Sequence, residues 1–357
     1  RTLQGPRAQA QGSRGGGAAV TMGKRALITG ITGQDGSYLA EWLLEQGDEV
    51  HGLVRRVALE DPLHRMWRIV HLKDALQLHV ADLENYTSVL RLLQQVRPDE
   101  IYHLAAHSFV GHSLEEESST LHTNITTTHT MLSAFREACP GARFYFAGSS
   151  EMFGKAQEVP QRESTPFAPR SAYGISKCTG FYLTRTYRET FGLFAAAGIL
   201  FNHESPRRGF EFVTRKISSH VALISVGKVQ TLTLGNVDAR RDWGHAKWYV
   251  QAIWSMLQAS TPDDYVVATG ETHSVREFCE IAFRVAGLEY RDYVQTDTAL
   301  YRPGEGALLV GDASKARVTL GWSSARSFEE LVQEMVETDL ARVRHDPAEL
   351  LAASAGV

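Results

Sequence analysis

Tyr173 and Lys177 stand four residues apart, so on a helix they share one face. An ammonium beside a phenol favours the phenolate. Bringing a tyrosine pKa from about 10 toward 7 takes roughly 4 kcal/mol of differential stabilisation. A base of that kind can take a proton from a substrate hydroxyl if another hydroxyl holds the substrate oxygen. Ser149 offers one, in Gly148-Ser149-Ser150-Glu151 at the end of the strand-like run Arg143 to Ala147. The Tyr/Lys spacing alone arises easily by chance. The upstream serine and a glycine-rich turn before both make the combination specific.

That turn is Gly30-Ile31-Thr32-Gly33-Gln34-Asp35-Gly36, directly after the strand-like Arg25 to Thr29 and before a helical pattern at Tyr38 to Glu45. Glycines there allow a pyrophosphate to approach backbone N–H groups at a helix N-terminus, so Gly30, Thr32, Gly33, Gln34, Asp35 and Gly36 are expected to bind a dinucleotide. The end of the second strand, Val50 to Val54, carries Arg55 and Arg56 with no acid between Leu53 and Leu59. Two guanidiniums suit a ribose 2′-phosphate, which favours NADP over NAD; one of the pair is expected to be the ligand. Asp82 and Leu83, after the third strand, are placed to contact the adenine. Leu104, Ala105 and Ala106, with Ser108 just beyond, supply small side chains beside a nicotinamide ribose. Tyr173 and Lys177 then serve cofactor and catalysis alike, and the positive nicotinamide ring adds to the pull on the phenol.

These residues need a scaffold that brings strand ends together. Short apolar runs at Leu76 to Val80, Glu100 to Leu104 and Phe194 to Leu200 continue the strand signal, with helical stretches such as Thr87 to Gln95 and Thr126 to Ala138 between them. Regular alternation of this kind predicts right-handed βαβ units, an α/β fold with a Rossmann-type doubly wound parallel sheet and a smaller C-terminal substrate-binding region. The expected boundaries are 23–200 for the nucleotide-binding domain, with a return of about 234–272, and 201–233 plus 273–345 for the substrate-binding region. Residues 1–22, with three arginines, no acid and a Gly15-Gly16-Gly17 run, read as a disordered tail or, less simply, a transit peptide, with Met22 as a candidate start. Residues 346–357 are expected to fray.

The composition narrows the class. The 357 residues are 43% hydrophobic and 22% charged, with a formal net charge of −4, which excludes a bulk electrostatic binder of nucleic acid. No apolar run is long enough to span a bilayer. Three scattered cysteines suit free thiols in a reducing, cytoplasmic setting. His103 and His107 flank a strand end and do not share a helix face, so no metal site is expected. Glu115-Glu116-Glu117 reads as a solvated face. Asn85 and Asn124 head glycosylation-like triplets that mean little without a signal peptide.

The chain resembles the extended short-chain dehydrogenase/reductases and, more narrowly, the GDP-mannose 4,6-dehydratase family. The resemblance rests on Gly30 to Tyr38, Gly148 to Gly154, Tyr173 to Lys177, Phe201-Asn202-His203-Glu204-Ser205-Pro206-Arg207-Arg208-Gly209, Phe212 to Lys216 and Arg240 to Gly244. It runs from about Lys24 to Arg344. It implies that GDP-mannose is the substrate, that Tyr173 takes the carbon 4 hydroxyl proton as hydride passes to NADP, and that Glu151 drives loss of water across carbons 5 and 6. It further implies that Asn202 meets the diphosphate, Val213 and Lys216 the guanine end, Arg241 and Arg302 the phosphates or ribose, and Glu305 the ribose hydroxyls. His203 and Arg208 would lie near the cofactor, and the enzyme would be a homodimer or homotetramer.

Several positions depart from the family pattern: Val57-Ala58 where serines follow the arginine pair, His107 for Gln, Ser149 for Thr, Ser119 for Tyr, Trp248 for Asp and Gly306-Ala307 for Val-Asp. None removes a catalytic group. The competing readings are a nucleotide-sugar epimerase or reductase of the same fold, against which Glu151 weighs, and a non-catalytic NADP sensor, which would have no use for Ser149, Glu151, Tyr173 and Lys177 together.

Overall fold

Seven apolar runs assemble into one parallel sheet in the computed structural model, which describes residues 23–108, 116–301, 308–348 and 350–351. The strands are β1 (Arg25–Thr29), β2 (Glu49–Val54), β3 (Gln77–Val80), β4 (Glu100–His103), β5 (Arg143–Ser149), β6 (Phe194–Leu200) and β7 (Asp264–Val267). Their order is β7-β6-β5-β4-β1-β2-β3. β1 pairs with both β2 and β4, so the winding reverses there, and the crevice beyond the strand ends is where such sheets take ligands. The central strands are buried on both faces, which is why they read as unbroken apolar runs.

The longer helices are α1 (Gln34–Glu45), α2 (Tyr86–Val96), α3 (Glu117–Ala138), α4 (Ala172–Phe191), α5 (Val213–Ser225), α6 (Ala246–Gln258), α7 (Val275–Val285) and α8 (Phe328–His345). Two groups flank the sheet: α2, α3 and α4 side by side, and α1 with α6. Asn85 caps α2 by accepting the Ser88 N–H at 3.0 Å, a helix-start role for one of the two glycosylation-like asparagines. Trp248 sits in the first turn of α6 without breaking it, and its carbonyl accepts the Trp322 indole N–H at 2.8 Å.

A second apolar core gathers Ile217 and Val221 of α5, Phe278 and Phe283 of α7, and Val332 and Met335 of α8. Inside this second layer Arg215 pairs with Asp339, both fully buried. Leu350, expected to fade out with the chain's end, is instead buried against Ala222, Leu223 and Val343. The expected tail, residues 1–22, and residues 352–357 lie outside the described residues.

Among the described residues no helix is long and apolar enough to cross a membrane, and no group of three or more His, Cys, Asp or Glu could hold a metal ion. All three cysteines are free.

Candidate active site

The turn between β1 and α1 is shaped by its glycines. Gly30 has φ +74°, and a Cβ on Gly36 would lie 2.3 Å from the Gly30 carbonyl oxygen, so the helix can start this close only without a side chain. No side chain caps α1 at Gly33. Its first-turn N–H groups therefore face the cleft with the positive end of the helix, ready for an anion.

This turn opens into a cleft of about 610 Å³ that crosses the carboxyl ends of the strands. Gly30, Thr32, Gly33, Gln34, Asp35 and Gly36 border it, as do Arg55, Asp82, Leu83, Leu104, Ala105, Ala106 and Ser108. On the far side stand Ser149, Glu151, Tyr173 and Lys177, with Asn202, His203 and Arg208 beside them. Arg56, Val213, Lys216 and Arg241 do not border the cleft; Arg302 and Glu305 lie outside the described residues. Arg56 begins a short helix, Arg56–Glu60; both arginines are exposed, and of the pair only Arg55 borders the cleft.

Three elements carry the candidate reacting groups. β5 runs two residues past the expected end, to Ser149, whose Oγ accepts the Glu151 N–H at 3.3 Å and caps the 3₁₀ turn Ser150–Met152. Ser171 caps α4 by accepting the Gly174 N–H at 3.0 Å, which fixes the first turn holding Tyr173. Gly174 is needed because a Cβ there would sit 2.7 Å from the Glu151 carbonyl oxygen. The segment bearing Glu151 and the helix bearing Tyr173 thus touch backbone to backbone.

Sequence reasoning missed Asn124, midway along α3. Its side chain accepts the His107 N–H at 2.8 Å and donates to the His107 carbonyl at 3.1 Å and to Ser176 Oγ at 3.0 Å. It ties the loop after β4 to α4. The signal was available in the run Thr120, Asn124, Thr127 and Thr128, polar residues at helical spacing on a face the structure buries.

Burial governs the electrostatics. It pushes the Tyr173 phenol up to about 12; the hydrogen bond with Ser149 and the field of Arg208 pull down, while Glu151 and Asp35 push up. The same burial lowers Lys177 to about 8, against the favourable field of Asp35. Lys177 Nζ donates to the Ala147 carbonyl at 2.8 Å and lies 5.7 Å from the centre of the Tyr173 ring. The expected shift toward 7 combines this lysine with the positive nicotinamide ring. Within the protein itself the desolvation of a phenolate outweighs the attraction of an ammonium that is itself desolvated.

Asp35 and His203 form a second charged pair, Oδ2 to Nε2 at 2.8 Å, and the His203 Nδ1–H donates to the Phe201 carbonyl at 2.7 Å. Burial opposes both charges, but the pairing wins: Asp35 is held below the usual carboxylate range and His203 above the usual imidazole range. The ring stacks on Tyr249 with centroids 4.6 Å apart. Arg208 is held toward the cleft by Glu204 at 3.1 Å.

Comparison with known proteins places this arrangement. The GDP-mannose 4,6 dehydratase family model matches residues 27–335. The chain is 48% identical to GDP-mannose 4,6 dehydratase 2 of Arabidopsis thaliana, over 90% of this chain and 88% of that one. It is 45% identical to the GDP-mannose 4,6-dehydratase of Sinorhizobium fredii, over 90% and 98%. Among solved structures it is similar to DesIV, a dTDP-glucose 4,6-dehydratase of Streptomyces venezuelae crystallised with NAD, at a TM-score of 0.76 and 25% identity over 91% of this chain and 99% of that one. The sheet order, the nicotinamide-type cleft and a match over most of the length agree, and the chain belongs to the GDP-mannose 4,6-dehydratase family.

Proposed function

We propose that this protein is a lyase converting GDP-mannose to GDP-4-keto-6-deoxymannose, with NADP as its resident cofactor, working as a homo-oligomer in the cytoplasm. The observation that carries the reading is the convergence of Ser149, Glu151 and Tyr173 on the cleft that the glycine turn opens. The residues present fit a dinucleotide phosphate: uncapped amides at α1, Arg55 at the end of β2, and no acid between Leu53 and Leu59. Ile175 and Tyr182, 43% and 54% exposed on α4, give a partner copy an apolar face. Free cysteines suit a reducing compartment.

A bound nicotinamide supplies reversible hydride transfer, out of carbon 4 of the hexose and later into carbon 6. Tyr173 takes the proton of the carbon 4 hydroxyl while Ser149 holds the same oxygen. Lys177 must stay protonated to contribute to lowering the Tyr173 phenol, and an oxidised nicotinamide, once bound, would add pull that Lys177 alone does not supply. With a carbonyl at carbon 4, the carbon 5 proton becomes acidic. Glu151 removes it and hands a proton to the carbon 6 hydroxyl, which leaves as water. Proton accounting then leaves the proton on Tyr173 for carbon 5 when carbon 6 is reduced. The net change is loss of one water with no net oxidation. Asn202 holds the diphosphate, Val213, Lys216, Arg241 and Arg302 the rest of the nucleotide, and Glu305 the ribose.

Incubation with GDP-mannose followed by mass measurement tests this: the product should be lighter by one water. Glu151→Gln should still bind cofactor and GDP-mannose yet release no water. Unchanged water loss in that variant defeats the role given to Glu151.

A further inference from the structure

Arg68 lies outside every motif discussed above, yet it borders the cofactor cleft. It is partly buried, and its guanidinium is fixed from three sides. Nε donates to the Arg207 carbonyl at 2.6 Å, Nη1 donates to the Thr32 carbonyl at 3.3 Å, and the Trp67 ring lies 4.5 Å away. Thr32 belongs to the glycine turn after β1. β1 and β2 run in register, Thr29 beside Leu53, so the turn and the Arg55 end of β2 are neighbours. A guanidinium anchored on Thr32 therefore stands at the corner where the end of β2 addresses the adenosine ribose.

The charges around it are uneven. Arg207 has Glu41 at 2.5 Å, Arg208 has Glu204 at 3.1 Å, and Arg215 and Arg342 share Asp339. Among the described residues Arg68 has no carboxylate within ion-pair distance, and its Nη2 donates to no protein acceptor. Burial holds its pKa down to about 10; Glu211 favours its charge, and Arg215, Arg342 and Arg208 oppose it. A fixed, half-buried cation that no carboxylate contacts, supported only by the longer-range field of Glu211 on the same cleft, is arranged for an anion from outside.

We infer that Arg68 binds the 2′-phosphate of the cofactor together with Arg55, a second guanidinium that the Arg55-Arg56 pair in the sequence does not supply. This inference rests on the NADP reading given above. Binding of NADPH and NADH to the full-length protein, followed by fluorescence titration, separates the two ideas. Wild type should bind NADPH more tightly than NADH; if it does not, the NADP reading fails and the inference falls with it. Given that preference, Arg68→Gln should weaken NADPH tenfold or more and NADH less than threefold, while Arg56→Gln changes both less than twofold. Equal weakening of the two nucleotides by Arg68→Gln would make Arg68 a brace between Thr32 and Arg207 and overturn the inference, as would no weakening at all. If Arg68→Gln does not fold, the wild-type chain carries the test. 2′,5′-ADP should protect Arg68 from labelling by phenylglyoxal where 5′-AMP does not, and equal protection overturns the assignment.

Discussion

The carboxyl ends of β5 and β2 open on the same cleft but are built on opposite terms. At β5 the reacting side chains are enclosed: Tyr173 is 9% exposed and Lys177 5%. Burial there moves proton affinities far, the phenol up and the ammonium down. At β2 the charged groups stand in or near water, with Arg55 exposed at the head of a short helix. An enclosed site turns small displacements of charge into large free energies, because a low local dielectric strengthens every interaction and every mismatch. An open site holds a phosphate through several weak, salt-screened contacts. On the proposed function, chemistry is thus concentrated at one end and cofactor choice distributed over the other.

The contrast breaks most visibly at Tyr173. Tyr173→Phe keeps the ring and its packing and removes the hydroxyl proposed to exchange a proton with the carbon 4 hydroxyl. Turnover should fall roughly a thousandfold, within the range for loss of a general base, with nucleotide binding changed less than about twofold. A loss in kcat below tenfold would show that the phenol is not the base.

Next in size is the Asp35–His203 pair on the cleft wall. Asp35→Asn leaves the buried His203 without its counter-charge and should cost about 3 kcal/mol of unfolding free energy, read by urea denaturation at pH 7. The pH dependence follows from the directions of the shifts. His203 has a raised pKa, so its contribution is complete below the unfolded imidazole value and is lost as pH rises through the folded one. Asp35 has a lowered pKa, so its contribution is present above the unfolded carboxyl value and is lost as pH falls through the folded one. The gap between Asp35→Asn and wild type should therefore be widest between those limits and narrow on both sides.

Lys177 sharpens the comparison from the other direction. Its folded pKa of about 8 lies below the unfolded value, so the native state carries the strain of a desolvated ammonium, about 3 kcal/mol at neutral pH. Between about 8 and 10.4 the unfolded chain binds the extra proton, and wild-type stability should rise with pH across that window. Lys177→Met should abolish turnover yet be more stable than wild type by about 1 kcal/mol at pH 7, the Ala147 carbonyl losing its donor in exchange. The advantage should be gone by about pH 10.5. A variant less stable than wild type at pH 7 would mean that the ammonium is better solvated than its burial implies.

Why the candidate catalytic end stands out in the sequence follows from the same contrast. Ser149, Glu151, Tyr173 and Lys177 each lie at the start or end of a regular element, and the glycine turn sits between a strand and a helix whose periods are plain. β1, β2, β5 and β6 are visible because burial makes them largely apolar runs, whereas the edge strand β3, with no buried residue, shows only as a short run between helical stretches. Asn124 and Arg68 are not visible, because nothing local marks them: one is a mid-helix polar residue whose partners lie 17 and 52 positions away, and the other follows two short helices and works through carbonyls 36 and 139 positions away. The burial of Tyr173 and Lys177 was not legible either, because spacing shows that an ammonium is near but not how far both groups are removed from water.

The smallest effect is expected at the open end, and its form matters more than its size. Arg55 is exposed, so its attraction for a phosphate is screened and amounts to about 1 kcal/mol, or roughly a fivefold weakening of NADPH in Arg55→Ala. That weakening should shrink further as salt is raised, because the lost contact is one that counter-ions already compete for. Arg56→Ala should change NADPH binding by less than twofold at any salt concentration, since Arg56 does not border the cleft. If the two variants behave alike, the helix that begins at Arg56 must turn toward the cleft when nucleotide binds, and cofactor choice then belongs to a moving segment, no longer to the fixed end of β2.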